Sequence, residues 1–145
     1  MSTKLGEWVH RPLLGIDPDQ VPFWDRLKDH EFSLCRCTRC GSFWFPFTVC
    51  DKHSDVPDFD EMEWVPTSGR GTVYAKLIVH QVADPGFADE VPYVLTIVAL
   101  TEGPHFPARL IDCDPDDVQV GMAVEVAYFD SAEAGHTLPL FRLVA

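Results

Sequence analysis

Four residues with the side chains of metal ligands fall within one short window of this sequence. Cys37 and Cys40 form a Cys-x2-Cys pair followed by Gly41, and Cys50 and His53 form a second pair at the same internal spacing. Two thiolates so spaced can reach one ion from a tight turn, in which glycine tolerates a positive φ. Three cysteines and one histidine are an accepted tetrahedral zinc set that leaves no position for water. The pattern therefore predicts one structural, non-catalytic zinc ion; the alternative is three free thiols beside an unrelated histidine.

Two further cysteines need an interpretation of their own. Cys35 lies two residues before Cys37, so on a strand both side chains would lie on the same face. It either replaces His53 as a ligand or is a small buried apolar residue, and we favour the second interpretation. Cys113 has no histidine near it in the sequence, and we expect a core or turn thiol there.

Catalytic motifs are missing from the sequence. There is no His-Glu-x-x-His, no Gly-x-Ser-x-Gly, and neither of the glycine-rich patterns that bind phosphates. No nucleophile with an identifiable base can be found, which predicts that the chain has no activity alone. Arg70, between Gly69 and Gly71, stands in what is most simply a turn before a strand. We take Arg70 as a candidate contact for a phosphate or for a partner protein.

The composition argues against several classes of partner. The chain has 145 residues, of which 46% are hydrophobic, so it can form a real core. Its net charge is −12, from 23 acidic and 11 basic residues, and the basic ones are scattered singly. Nucleic-acid binding needs clustered cations, so it is disfavoured.

Residues 91–100 are the longest apolar run, which is too short to span a bilayer, and the first residues show no secretory signal. We expect a cytoplasmic location, where crowded cysteines favour a metal site over disulfides.

The pattern of elements predicts a mainly β fold. Pro22 and the apolar spacing after it favour a short helix over residues 22–29, and residues 31–50 favour two short strands. We interpret residues 55–63 as a solvated acidic loop that joins two subdomains; the alternative is a docking surface for a basic partner. Five strands follow, with one helical turn bracketed by Asp114 and Gly121 between the third and the fourth, the order of an OB-type barrel. The five strand segments are Val73–His80, Tyr93–Leu100, Phe106–Leu110, Ala123–Phe129 and Leu138–Val144.

The motifs together resemble a known family, over roughly residues 20–145. It is the family that joins a rubredoxin-like zinc ribbon to an OB-fold barrel and associates with thiolase-superfamily enzymes of acyl-CoA metabolism. The segments that carry the resemblance are Pro22-Phe-Trp-Asp-Arg-Leu, Cys37-Thr-Arg-Cys-Gly, Phe45-Pro-Phe-Thr-Val-Cys50, Ser68-Gly-Arg-Gly-Thr-Val-Tyr74, Pro92-Tyr-Val-Leu-Thr-Ile-Val, Gly121-Met-Ala-Val-Glu-Val and Leu138-Pro-Leu-Phe-Arg142.

The resemblance implies a three-part chain. Residues 1–30 would hold an N-terminal arm and the short helix, residues 31–66 the zinc ribbon, and residues 67–145 the OB barrel. It also implies a non-catalytic accessory subunit of a heteromeric enzyme, whose thiolase-like partner forms or cleaves C–C bonds in acyl-CoA. The partner reactions are thiolytic or retro-aldol, as in steroid or aromatic degradation. Two features depart from the family: His53 stands where many members have a fourth cysteine, and the arm 1–16 and the acidic stretch 55–63 exceed its minimal pattern.

Two other functions compete with the accessory subunit. Zinc ribbons and OB barrels also bind single-stranded nucleic acid, but the acidic charge argues against that role. A free-standing acyl-CoA carrier would need a pocket inside the barrel, and a five-stranded barrel is normally filled by its own side chains.

Overall fold

The structure is a computed structural model that describes residues 15–53, 58–132 and 135–144. It contains helix α1 (Val21–Lys28) and eight strands within those ranges. Most of the predicted arm, residues 1–14, and the first part of the acidic stretch, residues 55–57, lie outside the described residues. The strands are β1 (Ser33–Cys37), β2 (Phe43–Trp44), β3 (Met62–Pro66), β4 (Arg70–Val79), β5 (Tyr93–Leu100), β6 (His105–Ile111), β7 (Ala123–Ser131) and β8 (His136–Leu143).

The first three strands form a small antiparallel sheet in the order β2-β1-β3. Strands β1 and β2 are the two that the sequence predicts around the cysteine turn. Strand β3 was not predicted: it begins inside the acidic stretch, and Glu63 pairs with Arg36 of β1. The acidic stretch is therefore only partly a loop, because its last residues complete the sheet that carries Cys37.

The remaining five strands close into a barrel in the order β4-β5-β6-β8-β7. This confirms the predicted mainly β class, with a short helix and a cysteine-histidine cluster ahead of OB-like strands. One 3-10 turn, Pro115–Asp117, lies between β6 and β7, and the Asp114 side chain caps it by accepting from the Asp116 amide. The turn ends at Asp117, earlier than the predicted stop at Gly121, because Val118 is already extended.

Helix α1 connects the small sheet to the barrel through its apolar face. Phe23 and Leu27, one turn apart, are buried. The Phe32 ring meets those of Phe23, Phe106 and Phe141, with centroids 5.8, 5.1 and 5.8 Å away. Since Phe106 and Phe141 belong to barrel strands, the helix, the small sheet and the barrel share one hydrophobic core.

Strand β4 contains a β-bulge that changes which side chains face outward. Its register with β5 shifts between Val73 and Ala75, and Tyr74 has no partner residue on β5. The regular alternation seen in the sequence would place Val73 and Leu77 on one face. In the structure Val73 is 1% exposed and Leu77 is 63% exposed, because the extra residue reverses the alternation.

Candidate metal centre

The first pair of candidate ligands sits where β1 turns into β2. Cys37 is the last residue of β1, and Cys40 lies in the turn that follows. The Cys37 amide donates to the Ser42 carbonyl, and the Gly41 amide donates to the Cys37 carbonyl, both at 2.8 Å. Gly41 has φ +76°, a conformation that β-carbon-bearing residues rarely adopt. The turn is therefore built as the sequence predicts, and it directs both thiols to one side.

The structure brings the four predicted ligand residues together. One ligand atom from each of Cys37, Cys40, Cys50 and His53 lies within 4.8 Å of the others. The Cys40 and Cys50 sulfurs are 3.6 Å apart, and the Cys37 sulfur is 3.4 Å from His53 Nε2. A tetrahedral ion with Zn–S bonds of about 2.3 Å separates two sulfurs by about 3.8 Å. The donor set and its spacing therefore fit one zinc ion.

The thiols of the cluster differ in their electrostatic surroundings. A hydrogen bond with the Ser42 hydroxyl, 3.1 Å from the sulfur, is the main cause that lowers the pKa of Cys40 to about 6. Burial raises the pKa of Cys50. The Cys40 thiol therefore ionises readily near neutral pH. The thiolate that results is the form that a metal ion binds.

A second layer of contacts holds the turn in place. The Thr38 amide and hydroxyl both donate to the Glu61 carbonyl, at 2.8 and 2.9 Å. Arg39 lies 3.6 Å from the Glu61 carboxylate. The sequence analysis missed Glu61 and Ser42 as supporting residues. No signal in the sequence could have shown the role of Glu61, because it depends on the unpredicted strand β3 that follows it.

Cys35 lies apart from the cluster. Its side chain is fully buried, its thiol donates to the Trp44 carbonyl at 3.2 Å, and burial raises its pKa. Cys113 is half-buried against the core, and burial raises its pKa as well. Both thiols have the surroundings of packing residues, which disfavour the reactive thiolate.

Arg70 is placed at the start of β4, far along the strand from Leu77. Its side chain is 66% exposed, and its Nη2 lies 4.0 Å from the Glu125 carboxylate, which also accepts from Arg142 at 3.0 Å. The flanking glycines are needed for packing: a β-carbon on Gly69 would lie 2.5 Å from Val126, and one on Gly71 would lie 2.4 Å from the Ala99 carbonyl oxygen. Arg70 is thus held at the surface, weakly paired, by a tightly packed backbone.

A buried ion pair outside the metal centre also escaped the sequence analysis. Arg109 Nη1 donates to Glu90 at 2.6 Å, and both side chains are at least nine-tenths buried. The Arg109 guanidinium also lies over the Tyr93 ring, 4.4 Å from its centroid. In sequence Arg109 is one isolated cation among others, and only the pairing of β5 with β6 reveals its partners.

Within the described residues, no helix is both long and apolar enough to cross a membrane.

Comparison with known proteins gives the same architecture. The family model of the ChsH2 C-terminal OB-fold domain matches residues 64–129. A DUF35 domain-containing scaffold protein of Methanocaldococcus jannaschii is 35% identical over 117 residues, which are 79% of this chain and 80% of that protein. A chain in the solved structure of the Ltp2-ChsH2(DUF35) aldolase is 30% identical, with a TM-score of 0.78, over 93% of this chain and all of that one.

A longer relative matches as well. The probable enoyl-CoA hydratase alpha subunit of Thermomonospora curvata is 32% identical over 132 residues, which are 91% of this chain but only 40% of that protein. The similarity therefore reaches 40% of the hydratase subunit and 80% of the Methanocaldococcus jannaschii scaffold protein. Since the match to the Methanocaldococcus jannaschii protein covers about four-fifths of both chains at 35% identity, the chain belongs to the DUF35 scaffold protein family.

Proposed function

We propose that this chain is a non-catalytic accessory subunit of a heteromeric enzyme that acts on acyl-CoA. The observation that carries the proposal is the similarity to the Ltp2-ChsH2(DUF35) aldolase structure, which extends over 93% of this chain. A relative named as a hydratase alpha subunit contains the same unit within a longer protein. We infer that the partner is a thiolase-superfamily subunit, which supplies the catalytic residues for thiolytic or retro-aldol chemistry.

In this proposal the metal has a structural role. Cys37, Cys40, Cys50 and His53 hold one zinc ion, and all four positions of a tetrahedral ion are filled by the chain. The ion would link the β1–β2 turn to the segment that carries Cys50 and His53. A zinc site of this kind contributes about 10–16 kcal/mol to a small metal-binding unit at neutral pH. The metal would therefore stabilise the small sheet and the turn that carries Cys37 and Cys40.

Arg70 is the proposed contact for the CoA phosphates or for the partner protein. Its guanidinium is largely exposed, and its nearest carboxylate is at the limit of an ion pair and is shared with Arg142. An arginine fork matches phosphate oxygens, and such charge-assisted hydrogen bonds are stronger than neutral ones. Cations are in the minority in this chain, which has 11 lysine and arginine residues against 23 acidic ones.

Co-purification tests the proposed function directly. The tagged chain is expressed in its native host, and the proteins that elute with it are identified by mass spectrometry. We expect a thiolase-superfamily subunit in a stoichiometric complex that turns over an acyl-CoA, whereas the isolated chain has no activity. Turnover by the isolated chain, or a partner without acyl-CoA chemistry, would contradict the proposal.

The role of Arg70 is tested in the assembled enzyme. Arg70→Ala is expected to raise the KM for acyl-CoA or to weaken assembly, with zinc content and thermal stability unchanged. Lys28→Ala, which removes an exposed cation on helix α1, is the matched control and leaves both quantities unchanged. If Arg70→Ala behaves like Lys28→Ala, Arg70 has no part in the site.

A further inference from the structure

The outer surface of strands β4, β5 and β6 is apolar. The register aligns Ala75 with Ile97 and Pro107 in one row across the three strands, and Leu77 with Leu95 in the next. These five residues line a cleft of about 410 Å³, and we call them the outer barrel face. Leu77 is 63% exposed and Leu95 is 40% exposed, so the face is open to water in the isolated chain.

The one charged side chain in the second row is neutralised within the chain. Arg109 lies opposite Leu95, but its side chain is only 9% exposed because Glu90 and Tyr93 cover it. Glu90 pairs with the guanidinium at 2.6 Å, so the charge is compensated in place. Burying an ion pair costs desolvation free energy that an exposed pair avoids. Lys76 also lines the cleft, and its ammonium group donates to the Val118 carbonyl. None of the five residues of the outer barrel face is itself charged, in a chain whose net charge is −12.

The bulge in β4 keeps Leu77 in this face although the strand contains an extra residue. A regular strand would bury Leu77 on the side of Val73, where Lys76 now lies in register with buried Thr96. The bulge leaves Tyr74 unpaired, so that Leu77 pairs with Leu95 and faces outward beside it. Bulges recur where a strand must redirect a side chain, and contiguous exposed apolar surface of this kind marks a protein-binding site.

The charges around the face indicate the kind of partner. Asp84 and Asp89 lie in the segment that joins β4 to β5, so one end of the face is acidic. At the other end, Glu102 in the turn between β5 and β6 lies near Arg70 at the start of β4, so that end carries both signs. Two copies of the chain that met here would each carry a net charge of −12, whereas a partner with cations beside the Asp84 and Asp89 end would be attracted. Opposite charges around an apolar centre assist association and fix its register.

We propose that the outer barrel face is the docking surface for the partner subunit of the acyl-CoA complex. It receives an apolar projection of that subunit bordered by lysine or arginine side chains. This assignment rests on the proposed function, since it names the surface through which the accessory subunit binds its partner.

Binding of the co-purified partner by a matched pair of variants tests the assignment. Leu77→Glu places a charge at the centre of the face, and Val120→Glu places the same charge at a site of equal exposure, 65%, outside the cleft. The Kd of each variant for the identified partner is measured by titration calorimetry, with thermal unfolding as the check on folding. We expect Leu77→Glu to weaken binding by about tenfold or more, as for a central interface residue, and Val120→Glu to leave it unchanged.

The other outcomes overturn the assignment in distinguishable ways. Equal Kd values for the wild type and Leu77→Glu would place the partner elsewhere on the chain, with the accessory role intact. A wild-type homodimer in sedimentation that Leu77→Glu dissociates would show a second copy as the occupant. If Leu77→Glu does not fold, Leu95→Glu takes its place beside Val21→Glu, a pair at 40% and 42% exposure. Failure of the wild type to bind any acyl-CoA enzyme would overturn the proposed function and this assignment together.

Discussion

The four candidate metal ligands, Cys37, Cys40, Cys50 and His53, come from one short window of the sequence. Their types and spacing predict a zinc set, and the structure places one ligand atom from each within 4.8 Å of the others. Cys35, which competes for a place in the set by sequence, is instead buried with its thiol on the Trp44 carbonyl. The spacing of the residues was therefore enough to predict the four candidate ligands. The position of Cys35 depends on the pairing of β1 with β2, which the sequence alone does not show.

Substitution of single cysteines and of His53 tests this set. His53→Ala and Cys40→Ser should lower the zinc content from about one equivalent per chain, because each removes one of four ligands. Cys35→Ser should leave the zinc content unchanged, since serine can keep the hydrogen bond to Trp44. Elemental analysis of protein purified without added metal measures this. If Cys35→Ser lost the zinc and His53→Ala kept it, the fourth ligand would be Cys35 and not His53.

The Asp130 carboxylate provides a pH-dependent contribution to stability. It accepts from the Thr137 hydroxyl at 2.7 Å and contacts His30 Nε2 at 2.9 Å, and these interactions, Thr137 first, lower the pKa of Asp130. A carboxyl group with a lowered pKa in the folded state stabilises that state above its unfolded pKa of about 3.9. The contribution is lost as the pH falls through the lower, folded value.

Asp130→Asn should therefore be less stable than the wild type at pH 7, and the difference should shrink below about pH 4. Unfolding in urea, followed at a series of pH values, measures both curves. Thr137→Val, which removes the hydroxyl donor, should show the same pH window. A difference that is constant from pH 7 to pH 3 would mean that the charge of Asp130 has no part in it.

Strands β4 and β5 approach each other closely at Gly71. A β-carbon at this position would lie 2.4 Å from the Ala99 carbonyl oxygen, which is backbone and cannot rotate away. Gly71→Ala should therefore destabilise the chain by about 1–3 kcal/mol, a usual cost of overpacking. Gly15→Ala, whose β-carbon meets nothing within 4 Å, is the control. Chemical denaturation measures the free energy of unfolding of both variants. If Gly71→Ala were as stable as Gly15→Ala, β4 and β5 could move apart at this position without a loss of stability.

The elements that could be predicted are those whose signal is local. Strand β5 has the predicted limits, Tyr93–Leu100, and helix α1 starts one residue before the predicted residue 22. Strand β3 was missed because its acidic flank resembles a solvated loop and its stability comes from pairing with β1. The bulge at Tyr74 was missed because alternation in a single strand cannot show where the partner strand omits a residue. The division of the chain at residues 30 and 66 stays a prediction.

At the scale of the whole molecule, the helix, the small sheet and the barrel share one hydrophobic core. Phe32 of the segment before β1 packs on Phe106 and Phe141 of the barrel as well as on Phe23 of the helix. This arrangement could not be read from the sequence, because the rings come from distant segments with no shared local pattern. The small sheet that carries Cys37 and the barrel therefore pack on the same buried aromatic side chains.

Removal of the metal should consequently affect the whole chain. A ligand that binds only the folded state raises its stability by mass action, so stripping zinc with a strong chelator should lower the unfolding temperature. Because the core is shared, we expect one cooperative transition before and after chelation, measured by calorimetry and by tryptophan fluorescence. Two separate transitions, with the barrel unaffected by the chelator, would contradict the shared core.

The overall charge sets a second expectation at this scale. With a net charge of −12 and no cluster of cations, the chain should bind single-stranded DNA or RNA weakly at physiological salt. A fluorescence anisotropy titration measures the affinity. Micromolar or tighter binding would favour the competing nucleic-acid function over the accessory subunit.

The bulge in β4 has a consequence for how this chain can change in length. Tyr74 pairs with no residue of β5, while Val73 and Ala75 on either side keep their partners Val98 and Ile97. Loss of codon 74 would leave every other pairing of the two strands in step, and Leu77 would still face outward. Loss of codon 96 in β5 would shift one half of that strand and exchange its buried and exposed sides. An in-frame deletion should therefore persist in a lineage at position 74 and be purged at position 96.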